Sequence, residues 1–337
     1  MDTNRNAHTG RLALAAGAAA ALAVGLVAGA PAGASTPVSA SVSGDTLFVT
    51  GSNAGESLAL RLSAGDTNTL DVDFGDDGSA EHSFDRSTFS SIEVALGNGS
   101  DRFRVDQVNG AFTEENLTVD GGRGDDTLDG GDGVETFYGG TGSDAVDGNR
   151  GNDTGILGSG PDSFRWDPGD GSDVIEGGRG DDTLDFNGAA VSEKMSLSPN
   201  GGRSLFLRDV GSIRMDMGSV ERLDLTALGG TDTVSVDDMT GTGFLQAHVN
   251  LAAPTGGGDG QPDTLTVNGT DRADSIDVSA GGGVVEVDGL QTAVDIAGSE
   301  TTDLLQIKAL GGNDDVDVAQ AALDLINVAV DLGSGQV

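Results

Sequence analysis

The sequence predicts an all-β repeat protein, and three observations support this. Residues 57–62, 69–74 and 284–287 alternate apolar with polar side chains, which is the period of a half-buried strand. Clusters of glycine, asparagine and aspartate separate such segments, as turns do. The chain is also built from repeats of nine and of 81 residues, and repeats of this kind indicate a β-solenoid. After the N-terminal segment, only residues 319–325 have a helical pattern.

The N-terminus has the composition of a secretory signal peptide. Arg5 and Arg11 give it a basic start, residues 12–28 are an Ala/Leu/Val run, and Ala32-Gly33-Ala34 resembles a cleavage site. We expect cleavage after Ala34, so residues 1–34 are predicted to be removed. The run is too short and too often interrupted by glycine for a retained anchor. The mature protein is therefore expected to be secreted and free of the membrane.

Composition limits the possible partners. The chain has 55 acidic residues against 17 Lys and Arg, and its net charge of −38 would repel nucleic acid. So high a charge opposes a compact state unless cations lie among the carboxylates, although it also fits solvation in high salt. The absence of cysteine excludes disulfides and thiolate zinc sites. Glycine supplies 56 of the 337 residues, which indicates many tight turns.

The nine-residue repeat runs from Gly121 to Asp185, and Trp166-Asp167 interrupts it once. Its seven copies read GGRGDDTLD, GGDGVETFY, GGTGSDAVD, GNRGNDTGI, LGSGPDSFR, PGDGSDVIE and GGRGDDTLD. Glycines at positions 1, 2 and 4 allow sharp turns, and position 6 carries a carboxylate. Position 8 is expected to point inward and is apolar except at Gly155. Its other occupants are Leu128, Phe137, Val146, Phe164, Ile175 and Leu184.

The 81-residue repeat organises the rest of the chain. An Asp-Thr-Leu tripeptide recurs with this spacing between Asp45 and Asp126 and again between Asp182 and Asp263. The predicted organisation is a signal peptide (1–34), a spacer (35–44), unit 1 (45–125), a nonapeptide block (126–181, repeat frame 121–185), unit 2 (182–262) and unit 3 (263–337).

Turn carbonyls and aspartates together are ligands for calcium. Calcium is a hard cation that takes roughly six to eight oxygen ligands in flexible geometry. Magnesium needs stricter octahedral geometry, and transition metals prefer histidine or cysteine. Because such short strands bury little apolar area, the repeat array is expected to need the metal for stability.

The nonapeptide block resembles the hemolysin-type calcium-binding (RTX) repeat, G-G-x-G-x-D-x-U-x with U apolar. The resemblance implies a parallel β-roll in which turns alternate between two sides. It also implies that Ca²⁺ lies between turns 18 residues apart. On this basis Asp126, Asp144 and Asp162 are expected to stack on one side, continued by Asp182, and Asp153 and Asp173 on the other. The implied main-chain ligands are Gly121, Arg123, Gly139, Thr141 and Ser159.

Two departures from the repeat carry expectations of their own. Glu135 stands at position 6 of the second copy, which is expected to displace or weaken its site. Incomplete turns also occur in the long units, and because they lack glycines or close neighbours we expect them to bind no metal. These turns end at Glu56, Asp101, Asp232, Asp274 and Asp314.

The predicted function is that of a secreted, non-enzymatic calcium-binding repeat protein whose β-roll folds on Ca²⁺. Neither His82 nor His248 lies in a nucleophile or zinc motif. Two alternatives stay open. One is a calcium-dependent parallel β-helix polysaccharide lyase, which needs a positioned base and a sugar groove. The other is a cell-surface adhesin or matrix component in which the long units contact a partner.

Overall fold

The computed structural model describes residues 38–334, which form an all-β parallel solenoid. The coils run through two 14-stranded sheets, here called sheet A and sheet B, and in the nonapeptide block successive strands enter the two sheets in turn. Neighbouring coils pair in parallel register, as Thr136 with Thr154 in sheet A and Val146 with Phe164 in sheet B. The predicted fold class is therefore confirmed.

The strands are numbered along the chain. Sheet A consists, in spatial order, of β1 (Ser39–Ser43), β2 (Thr46–Thr50), β6 (Ser91–Asn98), β8 (Asn116–Arg123), β10 (Glu135–Thr141), β12 (Thr154–Ser159), β14 (Val174–Arg179), β18 (Ile213–Gly218), β17 (Arg203–Arg208), β16 (Lys194–Asn200), β20 (Thr233–Val236), β22 (Thr264–Asn268), β26 (Leu304–Lys308) and β28 (Asn327–Asp331). Sheet B consists of β27 (Asp315–Val318), β23 (Ser275–Gly281), β24 (Val284–Asp288), β25 (Ala293–Ala297), β21 (Gln246–Asn250), β19 (Arg222–Thr226), β15 (Thr183–Asn187), β13 (Ser163–Trp166), β11 (Ala145–Asp147), β9 (Thr127–Asp129), β7 (Arg102–Asp106), β3 (Ser57–Ser63), β4 (Asp66–Phe74) and β5 (His82–Asp85).

Helical structure within residues 38–334 is limited to one short α-helix and two 3₁₀ turns. The helix α1 (Gln320–Leu323) lies inside the predicted helical segment but is shorter, and the 3₁₀ turns are Arg86–Thr88 and Val210–Ser212. None of these described elements is long and apolar enough to span a membrane.

Side chains that point inward form one apolar core between the sheets. The apolar residues at position 8 of the nonapeptides are at most 2 % exposed, as predicted from their spacing. Gly155, the exception, leaves room that its neighbours fill, because a Cβ there would lie 2.8 Å from the Phe164 ring and 3.4 Å from Leu157. A missing side chain at one position is thus replaced by Leu157 two residues later.

Each long unit opens into an antiparallel three-stranded meander at the same point. The meanders β3–β5, β16–β18 and β23–β25 each begin twelve residues after the aspartate of an Asp-Thr-Leu tripeptide. In units 2 and 3 the first and third strands pair with coils on either side, whereas β5 of unit 1 is an edge of sheet B. The 81-residue repeat is therefore also a repeat of structure.

The Trp166-Asp167 insertion is accommodated without breaking the sheets. Strand β13 stays in register with β15 through Trp166 and Phe186. The Trp166 ring is buried and stacks on Phe186 with the ring centroids 4.2 Å apart. The extra length forms a small turn in which the Asp170 N–H donates to the Asp167 carbonyl at 3.0 Å.

Residues 38–334 belong to one compact unit. The nonapeptide block and the three long units contribute to the same apolar core. The predicted signal peptide, residues 1–34, and the start of the predicted spacer lie outside the described residues.

Candidate metal centre

Sixth-position aspartates line the turns that lead into sheet B. The Asp126 N–H donates to Oδ1 of Asp144 at 2.9 Å, and the Asp144 N–H donates to Oδ1 of Asp162 at 2.8 Å. The partners are 18 residues apart, the spacing that the RTX resemblance implied. The complete row, here called the B ladder, is Glu56, Asp101, Asp126, Asp144, Asp162, Asp182 and Glu221.

A second row, the A ladder, lies at the turns that lead into sheet A. Here the Glu135 N–H donates to Oδ1 of Asp153 and the Asp153 N–H to Oδ1 of Asp173, both at 2.8 Å. The Trp166-Asp167 insertion lengthens the step from Asp153 to Asp173, and the step from Asp162 to Asp182, to 20 residues. Both hydrogen bonds form nevertheless, so the predicted stacks are continuous in the structure.

In many of these turns only one of the two carboxylate oxygens accepts a hydrogen bond. The Asp144 side chain is 2 % exposed, and its Oδ2 atom is buried without a hydrogen-bond partner. A buried, unpaired carboxylate oxygen is costly and calls for a cation or a proton. The turns with this property, here called open turns, end at Asp101, Asp126, Asp144, Asp153, Asp162, Asp182 and Asp232.

In a second group of turns, a carboxylate oxygen accepts a backbone N–H from within the same turn. The Ala189 N–H donates to Oε2 of Glu193 at 2.9 Å, and the Thr270 N–H donates to Oδ2 of Asp274 at 2.7 Å. In each case the donor is the second residue of the turn. Turns of this kind, here called closed turns, end at Glu56, Glu135, Glu193 and Asp274.

The backbone at the second turn position separates the two groups. In open turns this residue has positive φ, for example 99° at Gly122, 58° at Asn149 and 71° at Leu228. The second residues of the four closed turns do not, and their N–H reaches the carboxylate. Glycine adopts positive φ without strain, whereas a leucine does not. All seven open turns have positive φ at position 2 and none of the four closed turns does, although the turn that ends at Asp173 has positive φ at Gly169 and is not among the open turns.

First-position glycines leave a small space lined by oxygen. A Cβ built on Gly121 would lie 2.5 Å from Oδ2 of Asp126 and 2.7 Å from the carbonyl oxygen of Gly139. The predicted ligands Gly121 and Gly139 therefore border the unpaired carboxylate oxygen. A side chain at this position would fill the space.

The carbonyls at position 3, which are the other predicted main-chain ligands, accept backbone hydrogen bonds from neighbouring coils. The carbonyl oxygens of Arg123, Thr141 and Ser159 each accept an N–H from the turn one coil earlier, at 2.7 to 2.9 Å. Because a carbonyl oxygen has two lone pairs, each retains one acceptor position for a cation.

The surroundings of the ladders disfavour ionised carboxylates that have no cation beside them. Burial raises the pKa of Asp144 to about 7, and the carboxylates of Asp162 and Asp126 act in the same direction. Burial also raises the pKa of Asp173 to about 7 and of Asp153 to about 9. The pKa is raised by burial to about 7 at Glu135 and to about 6 at Asp101, Asp182 and Asp232.

The donor set fits a hard divalent cation. Within residues 38–334 no three His, Cys, Asp or Glu side chains converge as metal ligands, so a site here must combine one or two carboxylates with main-chain carbonyls. Calcium accepts such mixed oxygen ligands, whereas transition metals favour nitrogen or sulfur. The open turns of adjacent coils supply the required oxygen types.

Sequence reasoning missed a third row, in units 2 and 3. The Glu193 N–H donates to Asp232 Oδ1 at 2.8 Å, the Asp232 N–H to Asp263 Oδ1 at 2.7 Å, and the Asp263 N–H to Asp303 Oδ1 at 3.0 Å. We call these four residues the long-unit ladder. Their separations of 39, 31 and 40 residues hide the pattern, although each residue directly precedes a strand of sheet A.

Comparison of the sequence with protein-family models gives no match, and none of the curated proteins matches it either. The assignment of a function to this chain therefore depends on the geometry of its own turns and ladders.

Proposed function

We propose that this chain is a secreted calcium-binding repeat protein without catalytic function, whose nonapeptide β-roll is stabilised by Ca²⁺ between coils. One observation carries the proposal. Five open turns occur in the nonapeptide block, each with a buried carboxylate oxygen that has no partner. The resemblance of this block to the RTX repeat supports the choice of calcium, and the predicted signal peptide supports export. These turns end at Asp126, Asp144, Asp153, Asp162 and Asp182.

The residues that would hold calcium have complementary tasks. Each Oδ1 atom is fixed by the N–H of the preceding aspartate in its ladder, which leaves Oδ2 inside the turn. Carbonyl oxygens such as that of Gly139 lie beside it. Calcium, when bound, supplies positive charge and occupies the spare oxygen lone pairs. Where position 1 is glycine, as at Gly121 and Gly139, no side chain enters this space.

Binding would be coupled to stability. A protein with net charge −38 repels itself when compact, and rows of buried carboxylates concentrate that repulsion in the nonapeptide block. Any ion that binds only the folded coils stabilises them by mass action. Sites in extracellular modules typically have dissociation constants of roughly 10⁻⁴ to 10⁻³ M. We therefore expect the roll to gain its stability at extracellular calcium levels.

The experiment is a comparison of residues 35–337 in Ca²⁺, in Mg²⁺ and in EGTA. Far-UV circular dichroism and melting temperature should both fall in EGTA and be restored by Ca²⁺ far better than by Mg²⁺. An unchanged spectrum and melting temperature in EGTA would refute the proposal. The double variant D144N/D162N should lose most of the calcium response. The matched control D277N/D288N, which removes the same charge from exposed strand positions, should keep it.

A further inference from the structure

The long-unit ladder contains an open turn outside the nonapeptide block. Asp232 is 1 % exposed, its Oδ1 accepts the Glu193 N–H, and its Oδ2 atom is buried without a hydrogen-bond partner. In this respect the turn matches that of Asp162, which also lacks a glycine at position 1. Sequence reasoning had placed Asp232 among turns that bind no metal.

A cationic side chain pairs with the long-unit ladder at its Glu193 end. Arg208 forms a buried ion pair with Glu193 and also lies 5.1 Å from the centre of the Trp166 ring. Within residues 38–334, neither Asp232 nor Asp263 pairs with a Lys, Arg or His side chain. Two buried carboxylates on neighbouring coils, joined by the hydrogen bond from the Asp232 N–H to Asp263 Oδ1, therefore lack a cationic partner. Buried charges in proteins are otherwise paired or bound to metal.

Oxygen atoms surround the same region. A Cβ on Gly188 would lie 2.5 Å from Glu193 Oε2, 3.0 Å from the Ala227 carbonyl oxygen and 3.1 Å from that of Thr226. Asp259 reaches over the turn and accepts the Gly230 N–H at 2.8 Å. The space at Gly188 belongs to the turn that ends at Glu193, and the Ala227 carbonyl at position 1 of the Asp232 turn borders it, as the Gly139 carbonyl borders the space at Gly121.

We propose that the turn ending at Asp232 binds a divalent cation of the size of calcium, with Asp232 Oδ2 as its central ligand. The long units would then bind metal as well as the nonapeptide block. The choice of calcium rests on the proposed function, whereas the site itself rests on the unpaired oxygen of Asp232. Asp274 supplies a matched comparison, because it also directly precedes a strand in a long unit but its turn is closed by the Thr270 N–H.

The test counts Ca²⁺ ions on the full mature chain by native mass spectrometry. D232N should bind one ion fewer than the unmodified protein, because the amide keeps the acceptor for the Glu193 N–H but loses the anionic oxygen. D274N should bind the same number as the unmodified protein. An unchanged count in D232N would overturn this inference. If D144N lost an ion in the same series, the proposed function would survive. If the unmodified chain bound no calcium, both would fail.

A second measurement covers the case in which D232N does not fold. Hydrogen–deuterium exchange of the unmodified chain, with and without Ca²⁺, compares residues 227–233 with the closed turn at 269–275. We expect calcium to slow exchange at least tenfold more in the first segment. Equal protection of the two segments would contradict the site.

Discussion

Replacing Asp144 with asparagine should have opposite effects with and without calcium. Burial raises the pKa of Asp144 to about 7, against about 4 in an unfolded chain. Each pKa unit corresponds to about 1.4 kcal/mol, so the charge costs the calcium-free folded state about 4 kcal/mol at pH 8 before screening. Solvent at the edge of the turn screens part of this, which leaves about 2 kcal/mol.

Asparagine removes the charge and keeps the acceptor for the Asp126 N–H. In EGTA at pH 8, D144N should therefore unfold at higher urea concentration than the unmodified chain, by the equivalent of about 2 kcal/mol. With calcium the order should reverse, because the variant has lost a ligand. Its calcium affinity should fall about tenfold, which corresponds to about 1.4 kcal/mol.

Urea unfolding followed by far-UV circular dichroism, together with calorimetric calcium titration, measures both effects. Asp277, which is exposed on β23, provides the control: D277N should change neither quantity by more than about 0.5 kcal/mol. The reasoning is refuted if D144N destabilises the protein equally with and without calcium. That outcome would make Asp144 a residue of packing and hydrogen bonding alone.

Three further predictions concern pH, the buried ion pair and the glycine space. Because burial raises the folded-state pKa of ladder carboxyls such as Asp153 to about 9, the calcium-free folded chain holds extra protons. Its stability should fall as pH rises from about 4 to 9, so melting in EGTA should occur at lower temperature at pH 8 than at pH 5; a rise would contradict this. R208M leaves Glu193 buried without its cation and should cost about 3 kcal/mol in EGTA and in calcium alike, whereas R208M/E193Q should recover much of the loss in urea unfolding. G139A puts a methyl group against Oδ2 of Asp144, and calorimetry should show calcium binding weakened about tenfold. The control G202A, whose Cβ meets nothing within 4 Å, should leave calcium binding unchanged.

Much of the fold was predictable because both repeats have fixed spacing. The nonapeptide places an apolar residue at every ninth position, and the buried side chains of Phe137 and Phe164 follow that spacing. The meanders were harder to predict from the sequence. In unit 1 the sequence does predict a hairpin between residues 70–74 and 82–84, and β4 and β5 pair antiparallel there. The other strands of the meanders alternate like any others, and a turn signal such as Gly65 fits a continued coil as well as a reversal within one sheet.

The division into open and closed turns was only partly predictable. Glu135 at a position normally held by aspartate was expected to weaken its site, and its turn is closed. Asp274 keeps the aspartate, however, and is closed as well. The open turn that ends at Asp232 was not predictable either. Its second residue is Leu228, a residue type that does not favour positive φ, yet its φ is 71°. Packing between coils overrides the intrinsic preference of the residue, and that packing is visible only in three dimensions.

The alternation of coils between two sheets sets a rule for how this chain can change in length. Copies of the nonapeptide enter sheet B and sheet A in turn, and β15 lies six strands after β9 along the chain, an even number of steps, so both of these strands lie in sheet B. Loss or gain of a single copy would deliver every later strand to the wrong sheet and every later carboxylate to the wrong ladder. Duplication or deletion is therefore tolerated two copies at a time, and families of such chains should differ in length by 18 residues rather than nine.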